Sequence, residues 1–183
     1  MANVGIETMN IREVEPNDDL LPQMAELFSR AVAWLADPAD DGDYRFFAAT
    51  DDTGTFLGGS VIDLGTLLFG PLADVPAGFL EDIEVLEPHR RNGVGAALLR
   101  AALNCAWQTG CESVRSTVAY DATAAIALYR NQGFGFVPEE DPDADEPDRT
   151  YSIVAINPQR VQDGYGRQQP GGGYPPEAGG ILT

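Results

Sequence analysis

One short segment of the chain carries the residue types that bind phosphate groups. Between a predicted strand and a predicted helix, the chain reads Arg90-Arg91-Asn92-Gly93-Val94-Gly95-Ala96. Glycine at positions 93 and 95 removes side chains that would hold a phosphate away from the backbone. The first amides of a helix have no acceptor within the helix, and the helix dipole adds positive charge there. These amides, with the guanidinium of Arg90 or Arg91, are therefore candidates for binding a pyrophosphate.

This turn matches neither of the two commoner phosphate-binding signatures. It lacks the third glycine of a dinucleotide-binding turn, and it lacks the Gly-Lys-Ser/Thr of nucleoside triphosphatases. On the turn alone, a strand-to-helix connection without a ligand is an equally good interpretation. The sequence on either side decides between the two.

Two flanking stretches complete a recognisable pattern. Phe79-Leu80-Glu81-Asp82-Ile83-Glu84-Val85 precedes the turn, and Ala124-Ala125-Ile126-Ala127-Leu128-Tyr129-Arg130-Asn131-Gln132-Gly133-Phe134 follows the next strand. Together with Arg-x-x-Gly-x-Gly they resemble the GNAT superfamily of N-acetyltransferases, whose later motif is Ala-x-x-Leu-Tyr-x-x-x-Gly-Phe. Leu-Glu-Asp most resembles the diamine (spermidine/spermine-type) branch. The resemblance covers residues 6–156 and is strongest over 79–137.

The resemblance implies acetyl-CoA as the cosubstrate. Its pyrophosphate would lie on the turn, on Arg90, Arg91, Asn92, Gly93, Val94, Gly95 and Ala96. Its pantetheine would pair with the open edge of the fourth strand, at Ile83, Glu84 and Val85, because an unpaired strand edge offers N–H and C=O groups to an amide-bearing ligand. An amide near Val85 or Leu86 would polarise the thioester carbonyl.

The same resemblance gives two residues catalytic roles. Tyr129 matches the tyrosine that protonates the thiolate of CoA, and a phenol with an ordinary pKa near 10 suits that task. Glu81 matches the general base of the diamine branch, with an ordinary solvated carboxylate as the equal alternative. Strand alternation places Asp82 on the opposite face. The reaction would be direct attack by a primary amine in a ternary complex, without an acyl-enzyme.

Other candidates for chemistry receive no role. Relatives carry asparagine where this chain has Ala122, which favours a non-catalytic acetyl-CoA-binding module as one alternative. His89 is interpreted as a loop residue, and Cys105 and Cys111 as reduced thiols, so no metal site is expected. The acidic residues of the candidate site favour a cationic acceptor, which would be polyamine-like or amino-acid-like. A protein N-terminus, a lysine or an antibiotic amine are the alternatives.

The motifs require particular elements to position them. Hydrophobic periodicity predicts strands over 6–14, 44–50, 55–68, 79–86, 113–118, 134–137 and 150–156. It predicts helices over 18–36, 93–109 and 122–131. The order of these elements predicts an α/β (α+β) fold with a mixed sheet flanked by helices. The resemblance implies that this sheet is mostly antiparallel and has six to seven strands. The acetyltransferase domain would span 1–157, and the Gly/Pro-rich residues 158–183 would form a disordered tail.

Charge limits the partners of this protein. The 183 residues include 29 acidic side chains and 11 basic ones, all arginine, for a net charge of −18. Such a surface makes a nucleic acid or an anionic membrane an unsuitable partner. Met1–Asn10 has neither the basic start nor the apolar stretch of a signal peptide, so we expect a cytoplasmic protein. The resemblance implies a homodimer, since dimers are common in the family.

Overall fold

A computed structural model describes residues 9–29, 42–65, 76–138 and 150–159. The described strands are β1 (Met9–Glu13), β2 (Tyr44–Asp51), β3 (Phe56–Asp63), β4 (Ala77–Val85), β5 (Ser113–Ala119), β6 (Gly135–Pro138) and β7 (Thr150–Ile156). The described helices are α1 (Leu21–Leu27), α2 (Val94–Gln108) and α3 (Thr123–Asn131), with a 3-10 turn at Glu87–His89. Residues 139–148 are rich in acidic side chains, which predicts a solvated loop, and they lie outside these ranges. The second half of the predicted first helix and nearly all of the predicted tail also lie outside them.

The seven strands form one sheet in the order β1-β2-β3-β4-β5-β7-β6. Every neighbouring pair is antiparallel except β4 and β5, which run parallel and are joined by the crossover helix α2. This confirms the expected fold class, a mixed and mostly antiparallel sheet with flanking helices.

Two apolar clusters hold the helices to the sheet. In β2 the neighbouring side chains Phe46 and Phe47 point to opposite faces, so each cluster takes one of them. The helix α2 buries a stripe that repeats every three or four residues against one cluster. Met24 of α1 is fully buried in the other cluster. The α2 stripe consists of Val94, Leu98, Leu99, Ala102, Leu103 and Ala106.

The parallel pairing between β4 and β5 is short. It covers only three residue pairs, from Ala77 opposite Ser113 to Phe79 opposite Arg115. Beyond Phe79 the strands diverge, so β4 from Leu80 onward presents its β5-facing edge to an opening. The sheet thus leaves an unpaired strand edge just before the Arg90–Ala96 turn.

A β-bulge interrupts β4 inside this opening. Leu80 pairs with Ile62 and Asp82 pairs with Val61, so β4 carries Glu81 as one additional residue between two consecutive positions of β3. Leu80 and Asp82, two residues apart, consequently lie on opposite faces of the sheet. Strict alternation along β4 therefore fails between Leu80 and Asp82.

Within the described residues, no helix has both the length and the apolar character needed to cross a membrane.

Candidate active site

The Arg90–Ala96 turn has the backbone that its glycines predict. Gly93 immediately precedes α2 and adopts φ +82°, a left-handed conformation that favours glycine. A Cβ placed there would meet nothing within 4 Å, so the space above the first turn of α2 is open. Arg91 also has a positive φ of 65°, which costs a non-glycine residue about 1 kcal/mol. This strained conformation places the amides of the turn and the exposed guanidinium of Arg91 beside the N-terminus of α2.

Arg90 links the turn back to the open strand edge. Its Nε donates a hydrogen bond to the Val85 carbonyl at 2.9 Å. Its Nη2 lies 3.4 Å from Glu84 Oε1, and the Arg90 side chain is 55% exposed. A surface pair of this kind is worth little in stability. The guanidinium is therefore available to an anion at the junction of the turn and the opening.

Backbone groups on β4 divide between its two edges. The Leu86 amide donates to the Leu57 carbonyl at 2.9 Å and belongs to the β3 side. Successive residues of a strand direct their backbone groups to opposite edges, so Ile83 and Val85 face the opening. Of the two amides predicted to polarise a thioester, the Leu86 amide is thus already committed, which leaves Val85.

The side chain of Asp82 binds the backbone of Ile83, its neighbour on β4. Its Oδ1 accepts a hydrogen bond from the Ile83 amide at 2.8 Å. Desolvation by surrounding protein raises the pKa of the Asp82 carboxyl, the Ile83 amide opposes that rise, and the charge of Glu84 adds to it. Sequence reasoning gave Asp82 no role because it assumed strict strand alternation, which the bulge at Glu81 breaks. Glu81 itself lies half-buried at the bulge.

Tyr129 sits on α3 with its ring in the core. It is 5% exposed, and its ring meets that of Phe134 edge-to-face, with centroids 5.2 Å apart. Burial raises the pKa of the phenol to about 12, a hydrogen bond with Ser116 opposes this rise, and the charge of Asp82 adds to it. The phenol is therefore fully protonated at neutral pH, the state in which it can act as an acid.

Ser116 is a site residue that sequence reasoning missed. Its Oγ donates to the Leu80 carbonyl at 2.7 Å, and the residue is 6% exposed. The available signal was a hydroxyl between the inward-facing Val114 and Val118 of β5, in a position where an apolar side chain is expected.

The other candidates lie where the sequence placed them. His89 ends the 3-10 turn, and its carbonyl accepts from the Asn92 side chain at 3.4 Å. Ala122 precedes α3 and offers no side-chain cap to it. Cys105 and Cys111 are free, and burial raises the pKa of both thiols. Among the described residues, no three His, Cys, Asp or Glu side chains are grouped to hold a metal ion.

The space between the turn, β4 and α3 suits a ligand with a diphosphate and an amide-bearing arm. A Cβ on Gly95 would lie 3.5 Å from Leu128 and 3.6 Å from Val85, which is ordinary van der Waals contact, so the start of α2 lies directly beside α3 and β4. The anion-binding features of the turn are therefore next to the backbone groups of the β4 edge. The residues present therefore fit acetyl-CoA as the resemblance implies.

Comparison with known proteins agrees with this geometry. The family model described as "Acetyltransferase (GNAT) family" matches residues 10–134. Over 59 residues, 32% of this chain, the sequence is 44% identical to an aminoglycoside N(6')-acetyltransferase type 1 of Acinetobacter haemolyticus. That match spans 41% of the relative's length, so the chain matches about two fifths of it.

Solved structures show the same fold. Nourseothricin acetyltransferase superimposes with a TM-score of 0.51 at 28% identity, over 66% of this chain and 69% of that one. Arabidopsis thaliana NAA60, solved with a bisubstrate analogue, superimposes with a TM-score of 0.62 at 17% identity, over 81% and 98% of the two chains.

Proposed function

The chain belongs to the acetyltransferase (GNAT) family, and we propose that it transfers the acetyl group of acetyl-CoA to a primary amine of a small polycationic acceptor. That it is an acyltransferase, with acetyl-CoA as cosubstrate, follows from the family. The proposal concerns the acceptor and the residues that act on it.

The observation that carries the proposal is the group of carboxylates beside the opening at β4. Asp82 Oδ1 accepts a hydrogen bond from the Ile83 amide, which faces the opening, Glu84 acts electrostatically on Asp82, and Asp82 acts electrostatically on the phenol of Tyr129. Carboxylates beside the proposed acid attract an ammonium group and orient it toward the reacting carbonyl. An acceptor with several amines should bind most tightly, because the carboxylates can hold one ammonium group while another amine reacts.

Two resemblances favour the same acceptor chemistry. The Leu-Glu-Asp sequence resembles enzymes that act on diamines, and a 59-residue stretch is similar to an enzyme named for aminoglycosides. Polyamines and aminoglycosides are both small, flexible polycations with primary amines. We therefore propose this shared chemistry, with polyamine-like and antibiotic amines as its two sources.

The chemistry assigns a task to each part of the site. The turn Arg90–Ala96 would hold the pyrophosphate, and Ile83 and Val85 would pair with the pantetheine. Glu84, expected to pair with them, directs its backbone groups toward β3 instead. The amine nitrogen forms the new bond to the acetyl carbon while the carbon–sulfur bond breaks. Glu81 would accept the proton lost by the amine, directly or through water, and Tyr129 would give its proton to the leaving thiolate.

The proposed location and excluded partners follow from the sequence, and the proposed dimer follows from the family resemblance. We propose one catalytic domain over residues 1–157, working in the cytoplasm as a homodimer, with neither nucleic acid nor membrane as a partner, as expected for a net charge of −18. Light scattering after size-exclusion chromatography tests the dimer, with a monomeric mass as the contrary result.

An amine panel tests the proposed function. Purified protein is given acetyl-CoA with spermidine, an aminoglycoside, free lysine or a peptide with a free N-terminus, and CoA release is followed with the mass of the product. We expect kcat/KM to be highest for spermidine or the aminoglycoside, by at least about tenfold over lysine and the peptide. Turnover with the peptide alone would contradict the proposal. Acetyl-CoA binding without any turnover would identify a non-catalytic module instead.

A further inference from the structure

Two side chains cover backbone groups on the open edge of β4. Arg90 Nε donates to the Val85 carbonyl at 2.9 Å, and Asp82 Oδ1 accepts from the Ile83 amide at 2.8 Å. Natural proteins often protect an exposed strand edge with charged side chains. Ile83 and Val85 are also the residues proposed to pair with the pantetheine, so the pantetheine and these side chains compete for the same backbone groups.

Arg90 has a second partner on the same strand. Its Nη2 lies 3.4 Å from Glu84 Oε1, and the two side chains are 55% and 43% exposed. An ion pair this open to solvent is weak, so another anion can readily replace the carboxylate. A pyrophosphate carries more charge than one carboxylate, and its proposed place is the turn that begins with Arg90 itself.

The carboxylates of β4 lie on the face of the sheet that α1 covers. Asp82 pairs with Val61 of β3, and Glu84 lies two residues further along, so both side chains share a face with Val61. That face carries the apolar cluster of α1, whereas α2 packs on the other face. Arg90 thus reaches from the turn before α2 to a carboxylate on the α1 side of the open strand.

We propose that Arg90 exchanges Glu84 for the pyrophosphate when acetyl-CoA binds, and that the freed Glu84 carboxylate then holds an ammonium group of the acceptor. This inference rests on the proposed function and deepens it, since it makes Glu84 a residue that selects polycations. The exchange also leaves the Val85 carbonyl to the pantetheine. Because the charge of Glu84 acts on Asp82, the two carboxylates form one negative site, which becomes stronger once the guanidinium has left.

The exchange couples the two binding events. While Arg90 and Glu84 are paired, either ligand must separate them before it can use its own partner. Once one ligand has bound, the other no longer has to do so. CoA should therefore lower the Kd of spermidine, and spermidine should lower the Kd of CoA by the same factor.

Calorimetry with CoA tests the exchange without an acceptor. Glu84→Gln removes the charge that holds Arg90, and we expect a CoA Kd about twofold to fivefold lower than that of the control. The matched control is Glu87→Gln, because Glu87 lies in the 3-10 turn nearby and its side chain forms no ion pair with another described residue. Equal affinities of the two variants, or weaker binding to Glu84→Gln, would overturn the exchange and leave Arg90 as a cover for the strand edge.

A double-mutant cycle ties this effect to Arg90. In an Arg90→Gln background, Glu84→Gln and Glu87→Gln should bind CoA with the same affinity, because no guanidinium remains to be released. A difference that persisted in this background would show that Glu84 acts on CoA without Arg90, and it would overturn the exchange. Melting temperatures of all variants reveal any loss of folding.

Spermidine binding tests whether the freed carboxylate serves the acceptor. CoA has no acetyl group to transfer, so the spermidine Kd can be measured with and without saturating CoA. The factor by which CoA lowers this Kd should be about twofold to fivefold larger in the parent and in Glu87→Gln than in Glu84→Gln. Direct attraction between spermidine and the phosphates of CoA is common to all three proteins. The same factor in all three would overturn the assignment of Glu84 to the acceptor.

The outcomes separate this inference from the proposed function. Tighter CoA binding to Glu84→Gln without acetylation of any polycation would contradict the proposed acceptor alone. Acetylation of spermidine or an aminoglycoside, with the CoA affinity and the coupling of Glu84→Gln equal to those of Glu87→Gln, would overturn the roles of Arg90 and Glu84 alone.

Discussion

Tyr129 illustrates how the surroundings of one side chain select its chemistry. Burial raises the pKa of the phenol to about 12, so the group holds its proton throughout the pH range in which an amine can be unprotonated and reactive. A phenol in this state donates a proton and does not abstract one. The environment therefore supports the acid role that the motif implies.

Removal of this phenol is the first residue-scale prediction. Tyr129→Phe should lower kcat by about 10²- to 10⁴-fold, the usual contribution of a general acid, with acetyl-CoA affinity nearly intact. Tyr151→Phe is the matched control, because Tyr151 lies on β7 and its ring stacks on Tyr120 at 4.1 Å. Steady-state kinetics and calorimetry give the two quantities. Affinity and rate falling together would remove Tyr129 as the acid.

Replacing each of the two neighbouring carboxylates at the bulge, Glu81 and Asp82, should change the pH dependence of activity differently. Glu81→Gln removes the proposed base, so activity should require a higher pH, at which more of the amine is already unprotonated. Asp82→Asn should instead raise KM for the acceptor and leave the pH dependence of kcat in place. If the pH dependence of kcat shifted in Asp82→Asn and not in Glu81→Gln, Asp82 would be the base and Glu81 the residue that binds the acceptor.

Asp82 also carries a stability prediction with a definite sign. Its pKa is raised in the folded protein, so the native state binds the proton more tightly than the unfolded chain does. The ionised carboxylate therefore costs stability, and this cost grows as pH rises above the unfolded pKa. Asp82→Asn should melt no lower than the parent at pH 7, even as acceptor KM rises. A clear drop in melting temperature at pH 7 would contradict this.

At the scale of elements, the start of α1 depends on one carboxylate. Asp18 accepts hydrogen bonds from the Leu20 amide at 2.8 Å and from the Arg12 guanidinium on the end of β1. The Arg12 hydrogen bonds lower the pKa of Asp18 to about 2, with the Leu20 amide contributing, although partial desolvation opposes them. This single side chain joins the first strand to the first helix.

Acid denaturation should reveal that contact. Because the pKa of Asp18 is lowered from 3.8 to about 2, its stabilisation is complete above pH 4 and is lost as pH falls toward 2. Asp18→Asn should cost about 1 kcal/mol at pH 7 after solvent screening, and the difference should shrink as pH falls toward 2 and vanish below it. Asp19→Asn is the control, because Asp19 also contacts Arg12 but is 87% exposed. Equal effects of the two substitutions would contradict the account.

Local sequence patterns predicted the elements better than their pairing. The bounds of β7 agree with the prediction, and those of α2 differ by one residue at each end, because clear alternation or a long apolar stripe defines them. The insertion of β7 between β5 and β6 and the bulge at Glu81 were not predicted. Both depend on pairing between distant residues, which local periodicity does not contain.

The residues of the candidate site likewise fall into those that local sequence predicted and those that it did not. Gly93 and Tyr129 were proposed from spacing and resemblance, since each lies in a contiguous motif. Ser116 and Asp82 were not assigned, because their positions beside the opening depend on the divergence of β4 from β5 and on the bulge in β4. Three-dimensional proximity, and not residue type, distinguishes them from other serines and acids.

At the scale of the whole molecule, charge should govern acceptor binding. A net charge of −18 attracts a polycation from a distance, and salt screens that attraction over about 10 Å at 0.1 M. Raising the ionic strength from about 0.05 M to 0.5 M should therefore raise KM for spermidine several-fold. KM for a singly charged amine, the control, should change much less, and equal salt effects on both would exclude long-range steering.

Acetyl-CoA binding tests the central claim most directly, namely that the Arg90–Ala96 turn holds the cosubstrate. Calorimetry would compare the parent with Gly93→Ala and Gly54→Ala. Gly54 is the matched control, because it has φ +83° in the β2–β3 turn and open space around its Cβ, as Gly93 has at +82°. Both variants should lose about 1 kcal/mol of stability from the same backbone strain.

The two outcomes of this titration are distinct. Our account predicts micromolar binding to the parent and to Gly54→Ala, and binding at least about tenfold weaker to Gly93→Ala, where a methyl group enters the anion site. Equal affinities for all three proteins, or no binding to the parent at millimolar acetyl-CoA, would contradict it.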